Sequence, residues 1–224
     1  AALSTLLVLF TLALVALTMR LATRFYGAAV GFWSGAVVAV WPTLVMLTTL
    51  LVSEQLFLVL VLWAIDFWTL RTPHRTRNAL AAGLLLGAAT LVRPIAMLLP
   101  LVLAGGLWLQ ARFDRGTFVE QLRMGVVASV AMACLIAPWT WRNHQLYGAF
   151  IPVSTNGGVT LWMGNAPGSD GYMIDLPPEV LGLSDYETEK ILGARARGYI
   201  AADPLGFVVR TAKKLVLLYN NESI

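Results

Sequence analysis

Three charged residues in apolar surroundings are the side chains of this sequence best placed to do chemistry. Glu54 is the only acidic residue among the first 65, and it lies between the apolar runs WPTLVMLTTLLVS and QLFLVLVLW. Arg93 follows the run GLLLGAATLV, and Arg142 follows APWTW. A carboxylate at the edge of a bilayer costs several kcal/mol unless it faces a partner, water or a substrate. Glu54 is therefore a candidate functional residue.

Each of the three has an ordinary structural role beside the chemical one. Glu54 either stabilises the positive end of a helix that starts after Ser53, or it faces an external cavity and binds an acceptor or a cation. Arg93 and Arg142 either extend to the membrane surface, or they hold a phosphate through paired guanidinium hydrogen bonds. Two arginines and a carboxylate that reach one face from separate loops are a stronger indication than any one of them.

Other polar and aromatic residues favour structural roles. Trp139 and Trp141 fit an interfacial aromatic belt better than a sugar platform, and Asn156–Gly157 fits a turn better than a ligand contact. His74 and His144 lie far apart in separate loops. No metal-ligand set is apparent, although a divalent cation is left open.

The composition is that of an integral membrane protein. The 224 residues are 58% hydrophobic and 12% charged, whereas soluble domains carry about 25% charged residues. The net charge of +4 does not indicate nucleic-acid binding, because the cations cluster in short loops between apolar segments. The single cysteine, Cys134, lies inside an apolar run and excludes an intrachain disulfide.

Seven apolar segments are predicted, and several are marginal against the roughly 17–25 residues that a span needs. The fourth and fifth form a hairpin with its tip at Arg93, and Pro94 takes the first position of the return helix. The sequence begins without Met or a basic leader and stops within an apolar run, so we expect an internal piece of a larger protein. The segments are Leu3–Met19, Ala28–Leu47, Gln55–Leu70, Ala79–Val92, Ile95–Ala111, Met124–Trp141 and one from Pro204 onward.

The arginines predict the topology. Eight lie in alternate loops, whereas the opposite short loops hold only Arg93, and an excess of cations marks the cytoplasmic side. The Arg71–Arg77 loop is then cytoplasmic, and Glu54, the Arg93–Pro94 turn and the Arg142–Asp203 region are external. We expect a multi-pass protein of the plasma (bacterial inner) membrane. The eight are Arg20, Arg24, Arg71, Arg75, Arg77, Arg112, Arg115 and Arg123.

The region from Arg142 to Asp203 is the main part outside the membrane. Val153–Met163 reads as a β-hairpin turning at Asn156–Gly157, and Ser184 to Glu187 fits a capping box that starts a helix to about Ala202. Asp203–Pro204 then begins the seventh segment. The predicted fold is thus an all-α polytopic membrane protein: a helix bundle at 1–141, a small mixed external region at 142–203, and the start of a further transmembrane helix at 204–224.

The order of several motifs resembles bacterial GT-C glycosyltransferases, in particular relatives of dolichyl-phosphate-mannose protein mannosyltransferases and aminoarabinose transferases. The motifs are WP…SEQLF, GLLLGAATLVRP and APWTWRNHQLYGAFIPVSTNGGVTLWMGN. The similarity covers about Arg20 to Gly171 and is most specific from Ala137 to Asn165. LVRP alone is a weak motif, and the order of the motifs and their agreement with the topology are stronger.

This resemblance implies a GT-C-type helix bundle that transfers a sugar from a polyprenyl-phosphate donor, at the external face, to a glycan, lipid or protein acceptor. It implies an assisting role for Glu54, since the principal catalytic aspartate of such enzymes lies in a first external loop, which we expect upstream of this sequence. The fragment alone is then expected to be inactive. The implied substrate-binding residues are Arg93, Arg142, Asn143, Asn156 and Asn165.

Two other classes of function stay open. A flippase or transporter of lipid-linked sugar or a small solute would carry ionisable or broken-helix sites at midplane, whereas here the segments are nearly free of central charge and Asp66 is close to the cytoplasmic end. A structural membrane scaffold would not need Glu54, Arg93 and Arg142 on one face. The expected partners are the lipid-linked donor, the acceptor and membrane lipids, without nucleic acid.

Overall fold

All regular elements in the described part of the chain are helical. The computed structural model describes residues 2–48, 50, 52–110, 115–169 and 174–220, so the predicted ends at Ala111 and Ile224, and Arg112, lie outside it. The all-α prediction is confirmed for these residues. The helices are α1 (Ala2–Tyr26), α2 (Ala28–Val40), α3 (Pro42–Leu47), α4 (Glu54–Thr69), α5 (Arg75–Val92), α6 (Leu99–Gln110), α7 (Arg115–Tyr147), α8 (Gly157–Asn165), α9 (Asp185–Ala202) and α10 (Pro204–Asn220), with 3₁₀ turns at Pro94–Leu98 and Pro178–Val180.

The chain divides into two compact units, Ala1–Arg142 and Asn143–Ile224. In the first unit, the predicted single segment Ala28–Leu47 is wrong, because it consists of α2 and α3. Trp41 is extended, with φ −65° and ψ 118°, since a proline disfavours helical geometry at the residue before it and Pro42 follows. The first segment runs on to Tyr26, so Arg20 and Arg24 belong to α1 instead of a loop.

Helices α4 and α5 form a helical hairpin. The Asn78 amide closes it by donating to Leu70 O at 3.4 Å and to Thr72 Oγ1 at 3.0 Å. The 16 and 18 residues of the two helices correspond to about 24 and 27 Å at 1.5 Å per residue. Because the two lengths match, the start of α4 and the end of α5 lie at the same end of the unit.

Helix α5 packs closely along α7 through two glycines. A Cβ on Gly83 would lie 2.3 Å from Ala128 O, and one on Gly87 would lie 3.3 Å from Met132 Cα. The two contacts advance together along both helices, so α5 and α7 run in parallel. Any larger residue at Gly83 would force the backbones apart.

Helix α1 runs parallel to α4, as two polar contacts between them indicate. Gln55 Nε2, at the start of α4, donates to Thr11 Oγ1 in the first half of α1 at 2.9 Å. Near their ends, Arg24 Nη2 donates to Asp66 Oδ1 at 2.5 Å. The first unit therefore has a Glu54 end, where α1 and α4 start and α5 finishes, and an Asp66 end, where α1 and α4 finish and α5 and α7 start.

Two helices are long and apolar enough to cross a membrane: Thr5–Tyr26, of 22 residues, and Arg115–Tyr147, of 33 residues. Ala28–Val40 and Pro94–Leu109 are apolar but shorter. The expectation of marginal segments agrees with these lengths, and the multi-pass arrangement stays a prediction.

The second unit is built on α8 and α9. Its core is formed by Trp162, Ala166, Val180, Leu192 and Ala196. The predicted capping box is confirmed: Ser184 Oγ accepts from Glu187 N at 3.3 Å, and Glu187 Oε2 accepts from Ser184 N at 3.1 Å. Asp203 likewise caps α10, because its Oδ1 accepts from Gly206 N at 2.8 Å.

The predicted hairpin at Asn156–Gly157 is wrong. The prediction that the external region mixes strands and helices is therefore also wrong for its described residues. Asn156 has φ −98° and ψ −5° and directly precedes α8, whereas a two-residue hairpin turn of this sequence type needs positive φ at both central positions. Glu189 on α9 stabilises the helical alternative by accepting from Gly158 N at 2.6 Å. This contact comes from 31 positions away, so the local pattern does not reveal it.

Candidate functional site

Glu54 and Arg93 form an ion pair at the Glu54 end of the first unit. Glu54 is the first residue of α4, and Arg93 ends α5 immediately before Pro94. The hairpin brings the two together, and Arg93 Nη2 donates to Glu54 Oε1. Neither of the two structural roles considered for these residues, helix-end stabilisation and snorkelling, anticipates this direct contact.

The pair is accessible and incompletely satisfied. The Glu54 and Arg93 side chains are 38% and 42% exposed. Glu54 Oε2 and Arg93 Nε are nevertheless shielded and have no hydrogen-bond partner among the described residues. An unsatisfied shielded polar atom costs about 1–3 kcal/mol, and such atoms in a native fold call for an explanation such as a functional role.

Arg142 lies at the same end of the first unit. The α5–α7 pairings at Gly83 and Gly87, continued to the end of α5, place Arg93 near the level of Pro138, about 6 Å or one turn before Arg142. Arg142 is exposed, and its guanidinium carbon lies 4.7 Å from the centre of the Trp139 ring. Trp139 therefore has a partner beyond a membrane belt, since a cation over an indole face is attracted by the ring quadrupole.

The three predicted asparagines belong to the second unit and do not form one cluster there. Asn143 is buried, and its amide donates to Ile151 O at 3.1 Å and Val153 O at 3.2 Å. Asn156 and Asn165 stand at opposite ends of α8, about 13 Å apart along the helix axis. The amide hydrogens of Asn143 thus hold the loop after α7, which is a structural task.

Asn165 borders a cavity that the sequence did not indicate. The cavity has a volume of about 340 Å³ and also contacts Tyr199, Asp203 and Arg210. Asn165 Nδ2 donates to Leu161 O at 2.8 Å, while its Oδ1 is buried without a partner among the described residues. Asp203 Oδ2 accepts from Arg210 Nη1 at 2.9 Å. The other residues named here line the same cavity and come from the C-terminal end of α9, from Asp203 and from α10.

Asp66 anchors a second charged cluster at the opposite end of the first unit. Its side chain is 3% exposed and contacts Arg24 at 2.5 Å and Arg20 at 3.2 Å. Arg24 also donates to Asp66 O at 2.9 Å and to Thr69 Oγ1 at 2.8 Å. The interpretation of Arg20 and Arg24 as orienting charges alone is therefore incomplete, because they neutralise a buried carboxylate. The sequence feature that could have indicated this cluster is the single acidic residue, Asp66, inside an apolar run.

In the second unit, three carboxylates at helix ends have lowered pKa values. Hydrogen bonds from Ser184 lower the pKa of Glu187. Those from Gly206 N and Arg210 lower the pKa of Asp203, and those from its own backbone and from Arg195 lower that of Glu179. All three carboxylates are held in the charged form by contacts that order helices.

Among the described residues, no three His, Cys, Asp or Glu side chains come close enough to hold a metal ion. Comparison with family models, with curated proteins and with solved structures finds no match to this chain. Its function is therefore argued from its own residues.

Proposed function

We propose that this protein is a membrane glycosyltransferase that moves a sugar from a polyprenyl-phosphate donor to an acceptor at the external face of the membrane. The observation that carries the proposal is the accessible Glu54–Arg93 pair at one end of the helical unit. The GT-C-like order of motifs in the sequence supports it, because Glu54, Arg93 and Arg142 all belong to those motifs.

A membrane environment is supported by apolar side chains on the outside of the first unit. Only 11% of the most apolar window of Thr5–Tyr26 is buried within the fold. Leu9, Leu12, Trp33 and Val40 are 55%, 59%, 67% and 74% exposed. Many large apolar side chains exposed on neighbouring helices indicate contact with a membrane or a partner. We therefore infer a multi-pass protein of the plasma membrane.

In the proposed reaction, the anomeric carbon of the sugar loses its bond to the phosphate oxygen and gains one to an acceptor oxygen or nitrogen. The bond's electron pair leaves with the polyprenyl phosphate, and the acceptor proton passes to a base. Arg93 and Arg142 are the groups suited to the departing phosphate, since guanidinium groups bind phosphate with paired hydrogen bonds. Cationic stabilisation of developing charge is commonly the largest catalytic contribution.

Glu54 is suited to an assisting role. A carboxylate that already accepts from Arg93 holds that guanidinium in place. Its other oxygen is shielded and has no partner among the described residues, and it reaches an acceptor hydroxyl or a cation when the side chain turns outward. The GT-C-like motifs imply an aspartate as the principal base, so Glu54 orients the acceptor instead of removing its proton. A divalent cation is compatible with this arrangement and is not required by it.

Site variants of the complete protein test the assignment. Glu54→Gln and Arg93→Ala should each lower transfer from a labelled polyprenyl-phosphate sugar by about a hundredfold, the typical scale for loss of one such group. Arg195→Gln is a matched control, because it breaks an exposed Arg–Glu pair with Glu179 in the second unit. Wild-type transfer rates in both site variants would refute the assignment.

The inferred topology has its own test. In a Cys134→Ser background, Arg77→Cys should react only with a permeant thiol reagent in intact cells, and Leu181→Cys with an impermeant one. Both positions are exposed. Labelling of Arg77→Cys from outside would invert the scheme and place Glu54 and Arg93 in the cytoplasm.

A further inference from the structure

A cavity of about 640 Å³ lies at the Asp66 end of the first unit, opposite Glu54 and Arg93. Arg71, Thr72 and Arg75 line it from the α4–α5 hairpin, and Glu120 lines it from α7. Small-molecule sites in proteins typically measure roughly 300–1,000 Å³. The cavity is thus large enough for a ligand and is not used by the proposed reaction.

The charge in this cavity is positive, with one guanidinium unused. Arg75 Nε donates to Glu120 Oε1 at 2.6 Å, and Arg75 Nη1 donates to Leu70 O at 3.0 Å. Arg71 is exposed and has no hydrogen bond or ion pair within the described part of the chain. Glu120 offsets the charge of Arg75, so the positive charge of Arg71 remains for an anion.

The chain around Arg71 offers further groups for an anion. Helix α5 starts at Arg75, and the residue before it, His74, provides no side-chain cap. The N-terminus of a helix carries partial positive charge and attracts anions. The N-terminus of α5 therefore adds to the attraction of Arg71 for an anion. Thr72 Oγ1 accepts from Asn78 Nδ2 at 3.0 Å, which leaves its hydroxyl hydrogen to donate to a ligand.

The remaining lining is mixed: three residues are apolar (Phe25 from α1, Trp68 from α4, Leu107 from α6), and three are polar (Thr69, Thr117, Gln121). Phe25 is 48% exposed, so it borders the opening. A ligand that satisfies both parts of the lining has an anionic head and an apolar tail.

We propose that this cavity binds a phosphate group, carried by an anionic membrane lipid, with Arg71 as its principal contact. Phosphate suits a guanidinium because two parallel hydrogen bonds can form. Basic pockets between membrane helices on the cytoplasmic side are sites where anionic headgroups bind, and this end carries most of the arginines. The proposal does not depend on the glycosyltransferase assignment.

The test measures ligand binding to the complete protein in a neutral detergent by calorimetry. The probes are dihexanoyl phosphatidylglycerol, inorganic phosphate and the uncharged dihexanoylglycerol. Arg71→Gln should weaken phosphatidylglycerol binding about tenfold, the effect of one charged hydrogen-bonding contact. Arg71 makes no hydrogen bond or ion pair within the described part of the chain. The Arg71→Gln variant should therefore have the same melting temperature as the wild type.

Arg77→Gln is the matched control, since Arg77 is equally exposed and does not line the cavity. It should bind phosphatidylglycerol as the wild type does. Arg71-dependent binding of the lipid but not of inorganic phosphate would identify a lipid headgroup, and equal Arg71 dependence of both would identify phosphate from solution as a ligand. No effect of Arg71→Gln, an equal effect of both variants, or equal affinity for dihexanoylglycerol would overturn the proposal.

Discussion

Arg93, the residue that ends helix α5, donates a hydrogen bond to the carboxylate of Glu54, the residue that begins helix α4. The two are 39 positions apart and meet because α4 and α5 form a hairpin of matched lengths. Both side chains remain more than a third exposed. The contact thus joins two helix ends while it leaves the charges within reach of a ligand.

Exchanging the two charges separates the structural role of this pair from its chemical role. The double variant Glu54→Arg with Arg93→Glu should keep its stability within about 1 kcal/mol of the wild type, the usual contribution of an exposed ion pair. Transfer activity should remain lost, because the guanidinium then extends from α4 instead of α5. Thermal unfolding in detergent and a transfer assay check the two parts, and recovery of wild-type transfer by the exchanged pair would contradict the proposed geometry.

Asp66→Asn should destabilise the protein by about 3 kcal/mol. The substitution leaves Arg24 with reduced compensation next to a buried position, and breaking a buried ion pair costs roughly 3–5 kcal/mol. We expect the lower end of this range because Arg20 and Arg24 are 59% and 24% exposed. The measurement is unfolding of the complete protein in detergent.

Glu179→Gln is the control for Asp66→Asn, since the exposed partners Glu179 and Arg195 contact each other at 2.7 Å on the surface. It should leave the unfolding midpoint nearly unchanged. An equal decrease in the free energy of unfolding in the two variants would mean that burial of Asp66 does not increase the contribution of its ion pairs to stability.

The contact between α8 and α9 should not tolerate a methyl group at Gly158. A Cβ there would lie 2.4 Å from Glu189 O and 2.8 Å from Gly193 Cα, both backbone atoms. Gly158→Ala should therefore cost about 1–3 kcal/mol, the range for overpacking. At the adjacent Gly157, the nearest atom to an added Cβ is Glu189 Oε1 at 3.6 Å, so Gly157→Ala should be tolerated. Similar losses in the two variants would contradict this packing.

The capping box predicts a pH dependence for helix α9. The hydrogen bonds from Ser184 lower the pKa of Glu187 below its usual 4.5, so the folded state favours the charged carboxylate. This stabilisation is complete above the unfolded pKa and is lost as the pH falls below about 4.5 through the lower folded pKa. Amide exchange in α9 should accelerate over that range.

Glu187→Gln is the matched variant for this effect. It should weaken the acid dependence of exchange in α9, and the remainder should come from Glu179 and Asp203, whose pKa values are lowered as well. An unchanged acid dependence in Glu187→Gln would show that the capping box does not sense pH.

Local signals were sufficient for the ends of several helices. Ser184 with Glu187, Asp203 before Pro204, and Pro94 after Arg93 each mark a boundary that the structure has. Each of these boundaries can be read from a few consecutive residues, because capping and proline geometry act over one turn. The placement of Glu54 and Arg93 at the same end of the first unit also followed from the number of apolar segments between them.

Contacts between distant residues were not predictable in the same way. Asn156–Gly157 favours a hairpin by local pattern, whereas a hydrogen bond from Gly158 N to Glu189 of α9 stabilises the helix there. Arg24 reaches Asp66 across 42 positions, and Asn165 and Arg210 line one cavity although they are far apart in the sequence. Such pairings depend on tertiary contacts that override local propensity.

A labelled sugar distinguishes glycosyl transfer from transport most directly. The complete protein is reconstituted in vesicles with a polyprenyl-phosphate donor that carries a labelled sugar, and with envelope glycan, lipid and protein fractions as acceptors. Label should appear covalently in an acceptor, and polyprenyl phosphate should be released in equal amount. Label that changes leaflet while it remains attached to its donor would contradict the account and identify a transporter.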